Sequence, residues 1–393
     1  MEASKSPAPA HPHSTSRPQW TQQHWALRAE TKFNLGLVRL FQRLGWQERV
    51  EPYVGYGLAN EWVRVLGRVV VSPKKRVAIT RSSVQGAGDQ PRSVRGWRSF
   101  STVQAPRAAV TVTFGDQPFT VQADHDGYVD AVLPIQLMTG WHEVTLQTAN
   151  GATSTAGVQV IGPEQRLGLV SDIDDTAMVT AVPRFFLAVW NSLVVHESAR
   201  KPVPGMAQLY NRLRTQYSDM PMFYLSTGAW NVVPAMLRFF THNQFPAGSL
   251  LMTDFGPTNT GWFRSGKEHK ERSLHRLASD FPNIAWILIG DDGQRDPLIY
   301  DEFAASKPDH VAGIAIRQLS PTQAVLAHGT VGDYPAGRTH NQEAPHPLPT
   351  NRSNAEQTSE EEAAFPKFSV RGKDGFVIAN KLEARGVLSH CDE

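Results

Sequence analysis

The sequence predicts an α/β unit built on a parallel sheet with helices on both faces and a minimal cap, preceded by a small all-β sandwich. Between 166 and 319, apolar strand-like runs alternate with helix-like stretches, the pattern of a parallel sheet. Between 54 and 161 the runs are short, and turn pairs such as Gly115-Asp116, Asp126-Gly127 and Asn150-Gly151 separate them. A chain of 393 residues exceeds one ordinary core and suits two.

Residues 1–18 are rich in Pro, Ser and His without apolar clusters, which predicts a disordered arm. Residues 19–53 read as a basic amphipathic helical segment: Phe33, Leu35, Leu37, Val38, Leu40, Phe41 and Leu44 fit helical packing, and Arg28, Lys32, Arg39, Arg43 and Arg49 supply the charge. It reads either as a docking helix with a solvated basic face, the plainer reading, or as an interfacial membrane helix. The β-sandwich is placed at 54–162, with strands at 62–71, 108–114, 119–123, 128–133, 142–148 and 156–161 and a long polar insertion at 72–106.

The α/β unit is placed at 163–328, with strands at 167–170, 222–225, 249–253, 285–289 and 311–316. Residues 329–393 read as a mostly disordered tail with an acidic cluster at Glu360-Glu361-Glu362, although 368–388 is apolar enough to pack somewhere.

Composition sets the outer limits. With 40% hydrophobic and 19% charged residues and a net charge of +2, nothing indicates a nucleic-acid binder. The single cysteine, Cys391, allows neither an intrachain disulfide nor a thiolate metal site. No basic-then-apolar leader opens the chain, so a cytoplasmic location is expected. The longest apolar run, FFLAVWNSLVV from Phe185, falls short of the roughly 20 residues that a spanning helix needs. No GxxxxGKS/T loop is present, which leaves a P-loop nucleotidase unsupported.

In open parallel sheets, ligands gather at the carboxyl ends of the strands. After the first strand come Asp172, Asp174, Asp175 and Thr176; after the second, Ser226 and Thr227; after the fourth, Asp291, Asp292 and Asp296. Lys270 falls in a helix predicted over 267–279. Acidic clusters converging on one crevice repel one another, and a hard divalent cation with oxygen ligands relieves them; Mg2+ suits. Such a set hydrolyses a phosphate ester in two steps, with Asp172 attacking phosphorus to give an aspartyl-phosphate and Asp174 acting as acid and then base. The plain alternative is that an Asp after a strand caps a helix, or that Asp175 or Thr176 simply caps a turn. The second acidic cluster, GDDGQRD, together with Ser226 and Lys270 in between, outweighs it. His196, His242, His269 and His275 show no ligand spacing, and His269 and His275 read as helix-surface residues.

The order DxDxT, strand-end Ser, helical Lys and GDxxxxD resembles that of the haloacid-dehalogenase superfamily. The runs SDIDDT, FYLSTGAW, HKERSLHRLASDFPN and IGDDGQRDPLIY resemble the catalytic domain of the actin-patch-type phosphatidate phosphatases and their bacterial relatives. The preceding β unit looks like the region found before that domain in the bacterial members. The resemblance implies a haloacid-dehalogenase-like fold, with Asp172 as nucleophile and metal ligand, Asp174 as acid/base and carbonyl ligand, Ser226, Thr227 and Lys270 as phosphate binders, and Asp291 as the remaining metal ligand. Asp296 is implied as an auxiliary acid. Lys267 competes with Lys270, and Asp292 with Asp291. Where better-known eukaryotic members tend to carry Ser-Pro, this chain has Gly228-Ala229 before Trp230, which puts headgroup recognition in doubt.

Only short stretches separate Thr176 from Pro204-Gly205 and Ser226 from Lys270, so no large cap fits and the site is expected to be open. An open site suits a substrate fixed in a surface, and the resemblance implies phosphatidate converted to diacylglycerol by a peripheral enzyme. Phe185, Phe186, Trp190, Trp230 and Trp262 are the candidate lipid contacts; burial against the protein's own domains is the competing reading. A phosphatase for a phosphorylated protein or nucleic-acid end is the alternative enzyme, and a non-catalytic adaptor the alternative outside enzymology.

Overall fold

The computed structural model describes residues 36, 38, 40–41, 43–73, 103–149, 152–179, 201–253, 262–293, 295–320 and 367–390. Eight strands make the first unit: β1 (Trp46–Leu58), β2 (Trp62–Pro73), β3 (Val103–Gln104), β4 (Ala109–Phe114), β5 (Gln117–Gln122), β6 (Tyr128–Leu133), β7 (Gly140–Thr148) and β8 (Thr153–Ile161). They form one sheet in the order β3-β2-β1-β8-β7-β4-β5, with β6 also paired to β2. The expected sandwich is therefore a single sheet curled over its own core. One edge of β2 is shared between β6 and β3, and β1 carries a register shift between Tyr53 and Tyr56 that bends it.

The helix expected to run to residue 53 ends earlier. Gly45 takes φ +83, and from Trp46 the chain is a strand paired with β2. Alternation then sorts β2: Val63, Val65, Val69 and Val71 enter the β core, while Leu66 joins the core of the second unit.

The second unit begins with β9 (Leu167–Asp172), then the short pair β10 (Met178–Val179) and β11 (Lys201–Pro202), α1 (Met206–Gln216), β12 (Met222–Ala229), α2 (Val233–His242) and β13 (Ser249–Thr253). It continues through α3 (Trp262–Asp280), β14 (Ala285–Asp291), α4 (Asp296–Ser306), β15 (Val311–Arg317), β16 (Phe368–Gly372) and α5 (Gly375–Glu383). The sheet runs β13-β12-β9-β14-β15-β16, and every pairing in it is parallel. All six residues of β9 and all seven of β15 are buried, as expected for strands covered on both faces.

The apolar C-terminal piece has a definite place. β16 extends the sheet beside β15, and α5 follows it, capped by Asp374 at the N–H of Val377, 2.9 Å away. Arg212 of α1 holds Glu383 at 2.5 Å.

A seam joins the two units. Tyr53 stacks on Trp230 with centroids 4.8 Å apart, Tyr56 meets Phe223 edge-on at 5.1 Å, and the Ser249 hydroxyl donates to the Gly55 carbonyl at 3.2 Å. Among the described residues, no helix is long and apolar enough to cross a membrane.

Candidate active site

The order of the parallel strands fixes where a crevice must open. From β9 the chain goes out through β12 to β13, then crosses back to β14 on the opposite side of β9. Strand order reverses between β9 and β14, and ligands bind outside the carboxyl ends at such a point. Asp172 ends β9 and Asp291 ends β14.

Carboxylate oxygens of Asp172, Asp291 and Asp296 lie within 4.8 Å of one another, and all three residues are buried. Asp296 opens α4, and its approach depends on Gly290: a Cβ there would sit 2.6 Å from Asp296 Oδ2. Lys270 enters from α3 and donates to Asp172 Oδ1 at 2.6 Å and to Asp296 Oδ1 at 2.5 Å. That leaves Oδ2 of Asp172, Oδ2 of Asp296 and both oxygens of Asp291 buried without hydrogen-bond partners.

Three carboxylates against one ammonium leave two negative charges uncompensated in the cluster. Burial pushes the Asp172 carboxyl well above the usual range, against the pull of Lys270. Burial likewise raises Asp291, and Asp296 and Asp172 add to the rise. Burial alone would lower Lys270, but Asp172 and Asp296 carry it above its ordinary value. Free buried carboxylate oxygens with raised affinity for a positive charge fit a hard cation with oxygen ligands.

No helix follows Asp172 directly, and Asp175 and Thr176 lie in a turn. The chain turns instead into β10, with Asp175 at φ +57, an uncommon backbone for a residue with a side chain. Its N–H donates to the Met178 carbonyl at 2.8 Å, and its own carbonyl accepts from Arg317 Nη1 at 2.5 Å. The Thr176 hydroxyl is buried without a partner. Asp174 turns to the carboxyl end of β12, where the Ser226 hydroxyl donates to its Oδ2 at 3.0 Å. Ser226 Oγ also accepts from the Gly228 N–H at 2.9 Å. The Thr227 carbonyl accepts from the Thr253 hydroxyl at 2.9 Å, which ties this strand end to β13.

Geometry separates the paired candidates. Lys267 bridges Glu271 at 3.2 Å and Glu302 at 2.9 Å on the helix surface, whereas Lys270 is in the cluster. Asp292 Oδ1 accepts from the Leu319 N–H at 2.8 Å, which spends it on the turn after β15. Asp296, expected as an auxiliary acid, stands beside Asp172 and Asp291, while the Asp174 carboxylate is engaged by Ser226. Trp230 is half-buried and stacked on Tyr53. Phe185, Phe186 and Trp190 lie outside the described residues, and Trp262 opens α3.

His269 is half-buried rather than on the helix surface. Its Nε2 lies 3.3 Å from the Leu251 carbonyl, and burial brings its pKa down to about 4. Two residues escaped the sequence reading. Arg317 is 3% exposed and grips the Asp175 carbonyl from two strands away. Tyr210 shares a hydrogen bond of 2.6 Å with the Ser171 hydroxyl beneath the site, and no motif points to it.

Known proteins match the same part of the chain. Phosphatidate phosphatase APP1 of Saccharomyces cerevisiae is 26% identical over 155 residues, 39% of this chain and 26% of that protein. An uncharacterized protein of Schizosaccharomyces pombe is 26% identical over 154 residues, 39% of this chain and 25% of that one. The chain thus spans about a quarter of the curated relatives it matches. A solved carbohydrate acetylesterase from Xanthomonas citri, at 9% identity, covers 69% of this chain and 68% of its own with a TM-score of 0.27, too low to carry an argument. The family model described as "Phosphatidate phosphatase APP1, catalytic domain" matches residues 167–318, from the start of β9 to just past β15, and so the α/β unit resembles a phosphatidate phosphatase catalytic domain in sequence as well as in its strand-end residues.

Proposed function

We propose that this chain is a magnesium-dependent phosphomonoesterase of the haloacid-dehalogenase type, working through an aspartyl-phosphate, with phosphatidate at a membrane surface as its substrate. The observation that carries the chemistry is the buried cluster of Asp172, Asp291 and Asp296 around Lys270, with four carboxylate oxygens left unpartnered. The substrate rests on the match to the phosphatidate phosphatase family over residues 167–318.

Asp172, Asp291 and Asp296 are the residues that would hold the magnesium ion, which when bound supplies the positive charge that attack of one anion on another requires. Lys270 holds Asp172 Oδ1, fixing the carboxylate and leaving Oδ2 for phosphorus. Bond formation there expels the alcohol oxygen, and Asp174 donates the proton that the alcohol takes away. A water then attacks the aspartyl-phosphate, gives its proton to Asp174 and restores the Asp172 carboxylate. Lys270 and the Ser226 and Thr227 hydroxyls would stabilise the charge that develops on the transferring group.

The test is phosphate release from an aryl phosphate and from phosphatidate in mixed micelles, with magnesium or with chelator, for the wild type and Asp172→Asn. Magnesium-dependent release that Asp172→Asn abolishes is the expected result. Equal rates for the two proteins would sink the nucleophile. Aryl phosphate turnover without any on phosphatidate would sink the substrate alone.

A further inference from the structure

The β unit turns one face to the α/β unit and keeps the other for its own core. On β2 the inward residues are Val63, Val65, Val69 and Val71, so Arg64 and Arg68 flank Leu66 on the face toward the α/β unit. The two arginines meet opposite ends of the parallel sheet. Arg64 lies 6.0 Å from the Tyr56 ring, and the Tyr56 hydroxyl donates to Asp280, which ends α3 ahead of β14. Arg68 lies roughly 13 Å further along the strand, four residues at about 3.3 Å each. Its guanidinium is 5.3 Å from the Tyr128 ring, and that ring is 6.1 Å from Trp230. Trp230 directly follows the carboxyl end of β12, the end that carries Ser226 and, one strand over, Asp172.

Their charges are handled differently. Arg64 is neutralised by Asp130 through two bonds of 2.6 and 2.7 Å. Arg68 has Glu51 directly across the strand pair, but that carboxylate is ion-paired with Arg49, which holds Oε1 at 2.7 Å. Arg68 is 6% exposed, its Nε is buried without a hydrogen-bond partner, and no carboxylate pairs with it among the described residues. A buried cation with no counter-charge is costly to keep in a fold.

We infer that Arg68, with Tyr128 beside it and Trp230 on the far side of that ring, is an oxyanion subsite at the catalytic end of the seam, taking a phosphate-class group next to the one being hydrolysed. The inference uses the phosphomonoesterase reading for its biological setting, but its binding chemistry stands apart from turnover. The group is either the phosphodiester headgroup of a neighbouring lipid or free phosphate.

The test reads binding in full-length Asp172→Asn protein, alone and combined with Arg68→Gln or Arg68→Lys. One arm sediments the proteins with phosphatidylcholine vesicles, with and without phosphatidylglycerol. The other measures thermal protection by inorganic phosphate. In one arm Arg68→Gln should weaken binding about tenfold, the worth of one charge-assisted hydrogen bond, with Arg68→Lys in between. An effect confined to vesicles names the lipid headgroup as the ligand; an effect confined to phosphate names the free ion. Should Arg68→Gln fail to fold, the comparison rests on Arg68→Lys, which keeps the charge but not the fork, with about a threefold loss expected. Equal binding by all folded proteins in both arms overturns the inference. Absence of phosphatidate turnover in the wild type bears on the proposed function alone.

Discussion

Replacing Lys270 by Met keeps the length of the side chain and removes its charge. Lys270 is 2% exposed, and its ammonium sits between Asp172 at 2.6 Å and Asp296 at 2.5 Å. In metal-free protein, Lys270→Met leaves three buried carboxylates with no cation in the cluster. Removing one partner of a buried pair costs about 3–5 kcal/mol. The loss depends on pH in a defined direction. An acid whose folded pKa lies above its unfolded value, 3.8 for these aspartates, binds its proton more tightly when folded, so stability falls as pH rises from that value through the folded pKa. Asp172 and Asp291 are raised already, and without Lys270 the pull that opposes the rise on both is gone. The penalty is therefore larger at pH 8 than at pH 5. Magnesium at a hundred times its dissociation constant should restore about 2.7 kcal/mol.

Urea unfolding of both proteins at the two pH values, with chelator and with magnesium, measures all of this. Aryl phosphate hydrolysis by the variant should fall about 10²–10³-fold, as on loss of one donor to developing charge. A variant working within about threefold of the wild type, with unfolding midpoints equal at both pH values, would refute the assignment of Lys270 and the electrostatics behind it.

Two further substitutions probe the segments that frame the cluster. Arg317→Gln removes the hydrogen bond to the Asp175 carbonyl and should lower kcat about tenfold with less change in KM, while Arg317→Lys recovers part of it. Unchanged kcat in the folded Gln protein would reduce Arg317 to a packing role. Ser226→Ala removes both the donor to Asp174 and the acceptor for the Gly228 N–H, and should lower kcat about tenfold or more while displacing the acid limb of the pH–rate profile. A lower rate with an unmoved profile would separate Ser226 from the acid.

The legible part of this protein is what one strand and its end can say. β9, β14 and β15 are buried on both faces, so each reads as an apolar run, and the polar residue that stops the run marks the crevice. Asp172, Ser226 and Asp291 are found that way. What needs two elements at once is not legible. Lys267 and Lys270 are three residues apart on one helix, and only the positions of Glu302 and Asp172 tell them apart. Asp296 enters the cluster because Gly290 has no side chain, a fact about α4 packing on β14. The first half of β1 reads as the end of the basic helical segment, and its pairing with β2, which starts at Trp46, overrides that reading at Glu48, Arg49, Glu51 and Pro52. β16 pairs with β15 across a long sequence gap that carries no local signal.

In the proposed mechanism Ser226 would also link substrate binding to proton transfer. Its hydroxyl has one hydrogen, which it donates to Asp174 Oδ2 at 3.0 Å, while its oxygen accepts from the Gly228 N–H at 2.9 Å. A phosphate oxygen that claims the hydrogen takes it from Asp174. Asp174 then loses a hydrogen bond that favours its ionised form, and it holds a proton more readily. On the proposed mechanism, the acid would thus be readied by the arrival of the group whose leaving oxygen it protonates. The carboxyl end of β12 can carry this exchange only if it stays in place, and it is held on both sides: Thr253 bonds the Thr227 and Gly228 carbonyls from β13, and Tyr53 stacks on Trp230 from the β unit. In the proposed mechanism the β unit would then act on the chemistry through the seam, by fixing the residue after the strand end whose Ser226 feeds the acid.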